Sequence, residues 1–257
     1  MKQVTQQNPT VGHLGDHGAS PLAKAEALCR AVAGRDFSET PLYIVAQSAL
    51  PASYYSGDYH GAFTVEALDI YLRDHIPNYR GRGPCMVIND LSLAEMYEPE
   101  DQEYLTQQFA LHELGHILNR PALFEDRTGV DPDKLLFESL VVADCTKRPP
   151  REDIPLYHGH EVDFIRIALH LCYRAQQVGF DAYHVAICAG YRYGLSHASL
   201  YLDALGDEPA RCADMLFSDI RATEPPQSFS SLWCDDYIAY HQNPRNPGVS
   251  HERDNAL

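Results

Sequence analysis

The stretch that decides the fold is FALHELGHIL, residues 109–118. Its apolar residues recur with the period of an α-helix, which predicts a buried helix. Because an α-helix has about 3.6 residues per turn, positions four apart lie on one face. His112 and His116 are therefore expected to point the same way, where two imidazoles can bind one metal ion. Glu113 lies beside them, within reach of a metal-bound water but too near in sequence to be a third ligand.

The residues around this stretch support a helix with a functional face. An acidic run is predicted to precede it, where a helix carries the positive end of its dipole: Glu98, Glu100, Asp101 and Glu103. Pro121 is expected to end the helix. Glycine in the interior of a helix, as at Gly115, is destabilising by up to about 1 kcal/mol relative to Ala. We explain its presence here by the close approach of another backbone to the helix.

The H-E-x-x-H pattern is rare enough to be informative. With 13 His and 15 Glu in 257 residues, it is expected by chance roughly 0.04 times. This number, and the helical context, favour a metal site over two His that are only hydrogen-bonded.

Composition limits the classes of protein that the chain can belong to. Apolar residues make up 45% and charged residues 22%, as in ordinary globular proteins. A formal net charge of −16 argues against binding nucleic acid by bulk charge. No apolar run predicts a membrane span, and residues 1–20 lack the apolar core of a signal peptide. Seven cysteines at wide spacings, without C-x-x-C, predict no disulfide framework and favour a cytoplasmic location.

The predicted elements before the helix follow the order strand, mixed segment, strand, acidic loop. Strands are predicted at 41–46 and 84–90, and residues 65–76 fit either a helix or a strand. Further helices are predicted at 20–33, 164–174, 196–205 and 207–222. We expect a flexible lead-in with a short helix at 1–38, a core at 39–176, and a helical extension with a loose tail at 177–257.

The motif resembles the active-site helix of zincin-type zinc metallopeptidases. The resemblance implies an α+β fold in which a small twisted sheet packs on this helix and additional helices follow. It also implies an edge strand that binds a protein or peptide substrate by strand addition. The implied activity is that of a zinc metallopeptidase, in which Zn²⁺ bound by His112 and His116 activates a water and Glu113 is the general base.

Catalytic zinc usually has three protein ligands and one open position for water. The third His of metzincins is absent, since the residues after His116 read ILNRPAL. Residues 157–164, YHGHEVDF, are distantly similar to the H-G-x-x-F/W motif of SprT-like proteases. His160 and Phe164 match its outer positions, although Glu161 replaces the Gly. This resemblance makes His160 the first choice for the third ligand.

Other ligands and another function remain open. Glu138 lies 22 residues after His116, as in gluzincins, although Val142 replaces the acidic residue that usually accompanies it. His158 is a further candidate. If Glu138 joined three His, four protein ligands would close the site, and the protein would be a non-catalytic, metal-stabilised binding or scaffold protein.

Three nearby residues have supporting roles in the prediction. Asp144 and Asp163 could orient a ligand His from behind. His170, well inside the helix predicted at 164–174, is expected to be a hydrogen-bonded core residue rather than a ligand.

Overall fold

A computed structural model of the protein describes residues 20–37, 41–51, 62–66, 73–76, 78–81, 83–119, 162–182 and 195–242. Within these ranges the fold is α+β, mostly helical with one small sheet, which confirms the predicted class. The helices are α1 Pro21–Ala33, α2 Asp90–Met96, α3 Pro99–Asn119, α4 Val162–Gln177, α5 Leu195–Leu205, α6 Glu208–Arg211, α7 Phe217–Ala222 and α8 Gln227–Gln242. The strands are β1 Tyr43–Ala46, β2 Ala62–Glu66 and β3 Pro84–Ile88.

The sheet is mixed, with β3 between the other two strands. β3 runs parallel to β1, with Cys85 beside Tyr43, and antiparallel to β2, with Ile88 beside Ala62. All five residues of β3 are buried, as its unbroken apolar run predicts. Both predicted strands are therefore confirmed. β2 begins three residues before the segment 65–76, whose type the pattern left open, and includes its first two residues.

Helix α3 contains residues 109–118 and lies at the centre of the packing. It contacts α1, α4, α7, β2 and β3. Its side chains Ala110, Leu111, Leu114 and Ile117 belong to the hydrophobic core. The helix ends at Asn119, two residues before Pro121, as predicted. The sequence therefore identified both the helix and its buried face correctly.

The prediction of an acidic loop before this helix is wrong. Helix α2 follows β3 almost directly, and the Asn89 side chain accepts a hydrogen bond from the backbone N–H of Ser92 at its start. Helix α3 begins at Pro99, so Glu100 and Asp101 form its first turn. Proline at a helix start and carboxylates near the positive dipole end both stabilise this longer helix.

Helices α1, α4 and α5 confirm three of the predictions. In α1 the Ser20 hydroxyl accepts a hydrogen bond from the backbone N–H of Ala23, and Gly34 follows the last turn with φ 61°. Such a positive φ is readily adopted by glycine, which explains why the helix ends there. Gly179 and Gly206, with φ 86° and 65°, follow α4 and α5.

The helix predicted at 207–222 is two helices, α6 and α7, so that prediction is wrong. The Asp36 carboxylate accepts a hydrogen bond from the backbone N–H of Phe217 at 3.1–3.2 Å and starts α7 there. Leu216 is extended, which separates the two helices. Asp207 precedes α6, and its side chain makes no capping hydrogen bond to that helix.

One hydrophobic core contains side chains from helices near both ends of the described part of the chain. It includes Val32 of α1, Ile167 of α4, Phe217 of α7 and Phe229 of α8, a helix that the sequence did not predict. Trp233 lies on α8 and packs against this core. The division into three segments remains a prediction. No helix among the described residues is both long and apolar enough to cross a membrane.

A buried polar stripe on α4 connects it to the C-terminal helices. Arg166 donates through Nε to Glu208 Oε1 at 2.7 Å and through its other nitrogens to the carbonyl and hydroxyl oxygens of Thr223. One turn later, His170 Nε2 lies 3.0 Å from the same Glu208 oxygen. The prediction that His170 is a hydrogen-bonded core residue is confirmed.

Arg174 extends this stripe by another turn. Its guanidinium donates to the carbonyl oxygens of Val32, Cys212 and Met215 at 3.2, 3.2 and 2.6 Å. It also lies over the ring of Phe217, with its central carbon 4.2 Å from the ring centroid. Because these carbonyls belong to segments at the ends of helices, one side chain joins α4 to both α1 and the C-terminal region.

His170 gives the unfolding free energy a specific pH dependence. Burial lowers the pKa of His170, assisted by the charges of Arg166 and Arg174, and Glu208 opposes this shift without cancelling it. In the unfolded chain His170 has a pKa of about 6.5. The unfolded chain therefore binds more protons than the folded chain just below that pH. We expect the contribution of His170 to be complete above about pH 6.5 and to decrease as the pH falls below it.

Urea unfolding of the wild type and of His170→Gln at pH 7.5 and 5.5 measures this contribution. The wild type should lose more unfolding free energy between the two pH values, since Gln does not titrate. Hydrogen bonds from His170 and Arg166 to Glu208 outweigh the effect of burial and lower the pKa of Glu208 below its ordinary value of 4.5. Glu208 therefore titrates outside the interval from pH 5.5 to 7.5. Equal losses for both proteins would contradict the assignment.

Candidate metal centre

The two motif histidines converge on one point beside α3. His112 Nε2 and His116 Nε2 lie 3.1 Å apart, and both side chains are half-buried. Two nitrogens bound to one tetrahedral zinc at about 2.0–2.1 Å would be about 3.3 Å apart. The separation is also that of a hydrogen bond between two imidazoles. The chemistry and spacing of the two donors therefore fit two ligands of a zinc ion.

Glu113 lies between the two histidines in sequence and is 5% exposed. Carboxylates are rarely buried unless a partner stabilises them. The side chain belongs to the same rigid helix turn as His112 and His116, so its position relative to them is fixed by the helix. It is thus a carboxylate kept largely away from bulk solvent next to the candidate ligands.

Phe164 of α4 packs against both imidazoles. Its ring stacks on that of His116, with centroids 4.2 Å apart and planes at 23°, and meets the ring of His112 edge-on at 5.2 Å. The side chain is fully buried. The SprT-like motif drew attention to this position, but no sequence pattern predicted that its ring contacts the two histidines.

Gly115 allows this contact. A Cβ atom at position 115 would lie 3.0 Å from Cε2 of Phe164, closer than nine in ten real Cβ contacts. The expected close approach is therefore real, but it is made by an aromatic ring. The prediction of another backbone at this place is wrong.

All three candidates for the third ligand, His160, Glu138 and His158, lie outside the described residues, as does Asp144. Their roles stay predictions. Asp163 is exposed on the first turn of α4, and its orienting role is likewise untested. Among the described residues, no group of three or more His, Cys, Asp and Glu is arranged to hold a metal ion.

Comparisons of the chain with protein families, with curated proteins and with solved structures found no match. The resemblance to zincins therefore depends on the motif residues alone.

Proposed function

We propose that the protein is a zinc-dependent metallopeptidase whose metal is bound by His112, His116 and His160. The convergence of two imidazole nitrogens to 3.1 Å on a buried helix, with the buried Glu113 between them in sequence, carries the proposal. His160 is preferred as third ligand because it precedes Phe164 by four residues, and the Phe164 ring touches both histidines. Glu138 is farther from Phe164 in sequence.

The arrangement of the sheet supports a zincin-like fold as part of this proposal. Strands β2 and β3 both pack on α3, and β2 is an edge strand among the strands described. An edge strand presents backbone N–H and C=O groups that can pair with an extended chain. We therefore assign β2 as the strand that binds a protein or peptide substrate by strand addition.

The residues divide the chemistry between binding and proton transfer. The neutral imidazoles of His112, His116 and His160 would hold the ion. Zinc, when bound, would supply a Lewis acid that polarises the scissile carbonyl and brings the pKa of water to about 7. The Glu113 carboxylate would accept the proton of the attacking water and deliver it to the leaving amine.

A cytoplasmic location belongs to the same proposal. Five of the cysteines lie in the described part of the chain, and no disulfide joins any two of them. Four of them are buried, and burial raises the pKa of Cys29 and Cys85 far above its ordinary value. Free thiols are typical of reducing compartments.

Zinc content tests the ligand assignment. We expect the purified protein to contain one zinc ion per chain, and His112→Ala or His116→Ala to contain far less, because each removes one of three ligands. Inductively coupled plasma mass spectrometry of protein dialysed against metal-free buffer measures the number of zinc ions per chain. His75→Ala removes a histidine from a different part of the structure and should leave the zinc content unchanged. Equal zinc in all four proteins would contradict the assignment.

A further inference from the structure

We infer that Phe164 is a positioning residue that holds the imidazoles of His112 and His116 in the orientation required for metal binding. The inference depends on the proposed metal site and adds a residue that is not a ligand. It rests on the contacts of one aromatic ring with both histidines and with the glycine between them.

The stacking geometry restrains the histidines without competing for their nitrogens. The ring torsion of a histidine side chain is broad, so an imidazole on a helix surface can rotate. The Phe164 ring lies nearly parallel to that of His116, and its edge-on contact limits rotation of His112 as well. The lone pair of an imidazole nitrogen lies in the plane of the ring. A ring stacked on an imidazole therefore does not itself block the approach of a metal to Nε2.

Phe164 is itself held rigidly. It is fully buried in the first turn of α4, and Arg166, two residues later, is anchored to Glu208 and Thr223. The ring lies so close to α3 that a Cβ atom at position 115 would require it to shift by a few tenths of an ångström. Gly115 therefore provides the space that the ring occupies.

Two substitutions disturb this contact from opposite sides. Phe164→Leu removes the ring and keeps an apolar side chain. Gly115→Ala keeps the ring but introduces a methyl group 3.0 Å from its Cε2 atom, so the ring must move. Residues that orient metal ligands typically change affinity by about 10- to 100-fold when replaced. We expect either substitution to weaken zinc binding within this range.

The experiment has two readouts. Competition with a chelator measures the zinc affinity, and the visible absorption spectrum of the cobalt(II)-substituted protein reports the geometry of the site. Phe229→Leu is the matched control, because Phe229 is also fully buried but contacts Tyr201 on α5. It should reduce the unfolding free energy and leave both metal readouts unchanged. Phe164→Leu should weaken affinity and alter the cobalt spectrum.

The double variant shows whether Gly115→Ala acts through the ring. In the Phe164→Leu background, the added methyl group should have little further effect on zinc affinity. An equal effect of Gly115→Ala in both backgrounds would overturn the inference. If Phe164→Leu does not fold, an unchanged affinity and cobalt spectrum in Gly115→Ala alone would overturn it.

The outcomes separate this inference from the proposed function. If the wild type binds no zinc, the proposed metallopeptidase fails and the positioning role fails with it. If the wild type binds zinc and Phe164→Leu behaves as Phe229→Leu does, the metal site stands and only the role of Phe164 is wrong.

Discussion

Glu113→Gln is expected to lower the rate of peptide hydrolysis by about 10²- to 10⁴-fold, the range that a positioned general base contributes. Gln has nearly the same shape as Glu, so the buried position should tolerate it, but an amide cannot accept the proton of the attacking water. Zinc content should stay at one ion per chain, because Glu113 is not a ligand. Cleavage of a mixture of quenched fluorogenic peptides measures the rate.

Glu103→Gln is the matched control for this substitution. Glu103 lies earlier on the same helix, at the surface, where it pairs with Lys24 at 2.8 Å. It should retain the wild-type rate. Full activity of Glu113→Gln would contradict the proposed mechanism. If zinc is bound but neither the wild type nor the variant cleaves peptides, the non-catalytic binding protein becomes the better description.

Glu208→Gln should reduce the unfolding free energy by about 3–5 kcal/mol, as is typical when one partner of a buried ion pair is removed. The side chains of Arg166 and Glu208 are 2% and 4% exposed and are joined at 2.7 Å. Gln would leave the guanidinium buried without a compensating charge, and would weaken the contact with His170. Urea unfolding at pH 7.5 measures the change.

A neighbouring surface pair provides the control. Asp207 and Arg211 lie 3.2 Å apart, but their side chains are 81% and 62% exposed. Exposed pairs contribute about 0.2–1 kcal/mol, so Asp207→Asn should have a small effect. Similar changes for Glu208→Gln and Asp207→Asn would show that Arg166 and Glu208 do not anchor the C-terminal helices to α4.

The features that sequence could predict are those determined by neighbouring residues. The bounds of α1 follow from Ser20, Pro21 and Gly34, which start and end a helix through local hydrogen bonds and backbone preference. The convergence of His112 and His116 follows from helical periodicity alone. Each of these needs no knowledge of the tertiary structure.

The features that sequence missed are determined by residues far away in the chain. The break between α6 and α7 depends on Asp36, whose carboxylate accepts a hydrogen bond from the backbone N–H of Phe217, 181 positions later in the chain. The reason for Gly115 is the ring of Phe164, on another helix. Patterns within one segment give no information about such contacts, so the sequence indicated a close approach at Gly115 but not what approached.

The most direct test of the metal centre is a crystal structure with diffraction recorded above and below the zinc absorption edge. We predict an anomalous peak about 2.0–2.1 Å from both His112 Nε2 and His116 Nε2, with a third protein ligand at the same distance and a water in the fourth position. His160 is the expected third ligand. Crystals of protein supplied with zinc that show no peak between the two histidines, or a peak enclosed by four protein ligands, would contradict the proposed catalytic site.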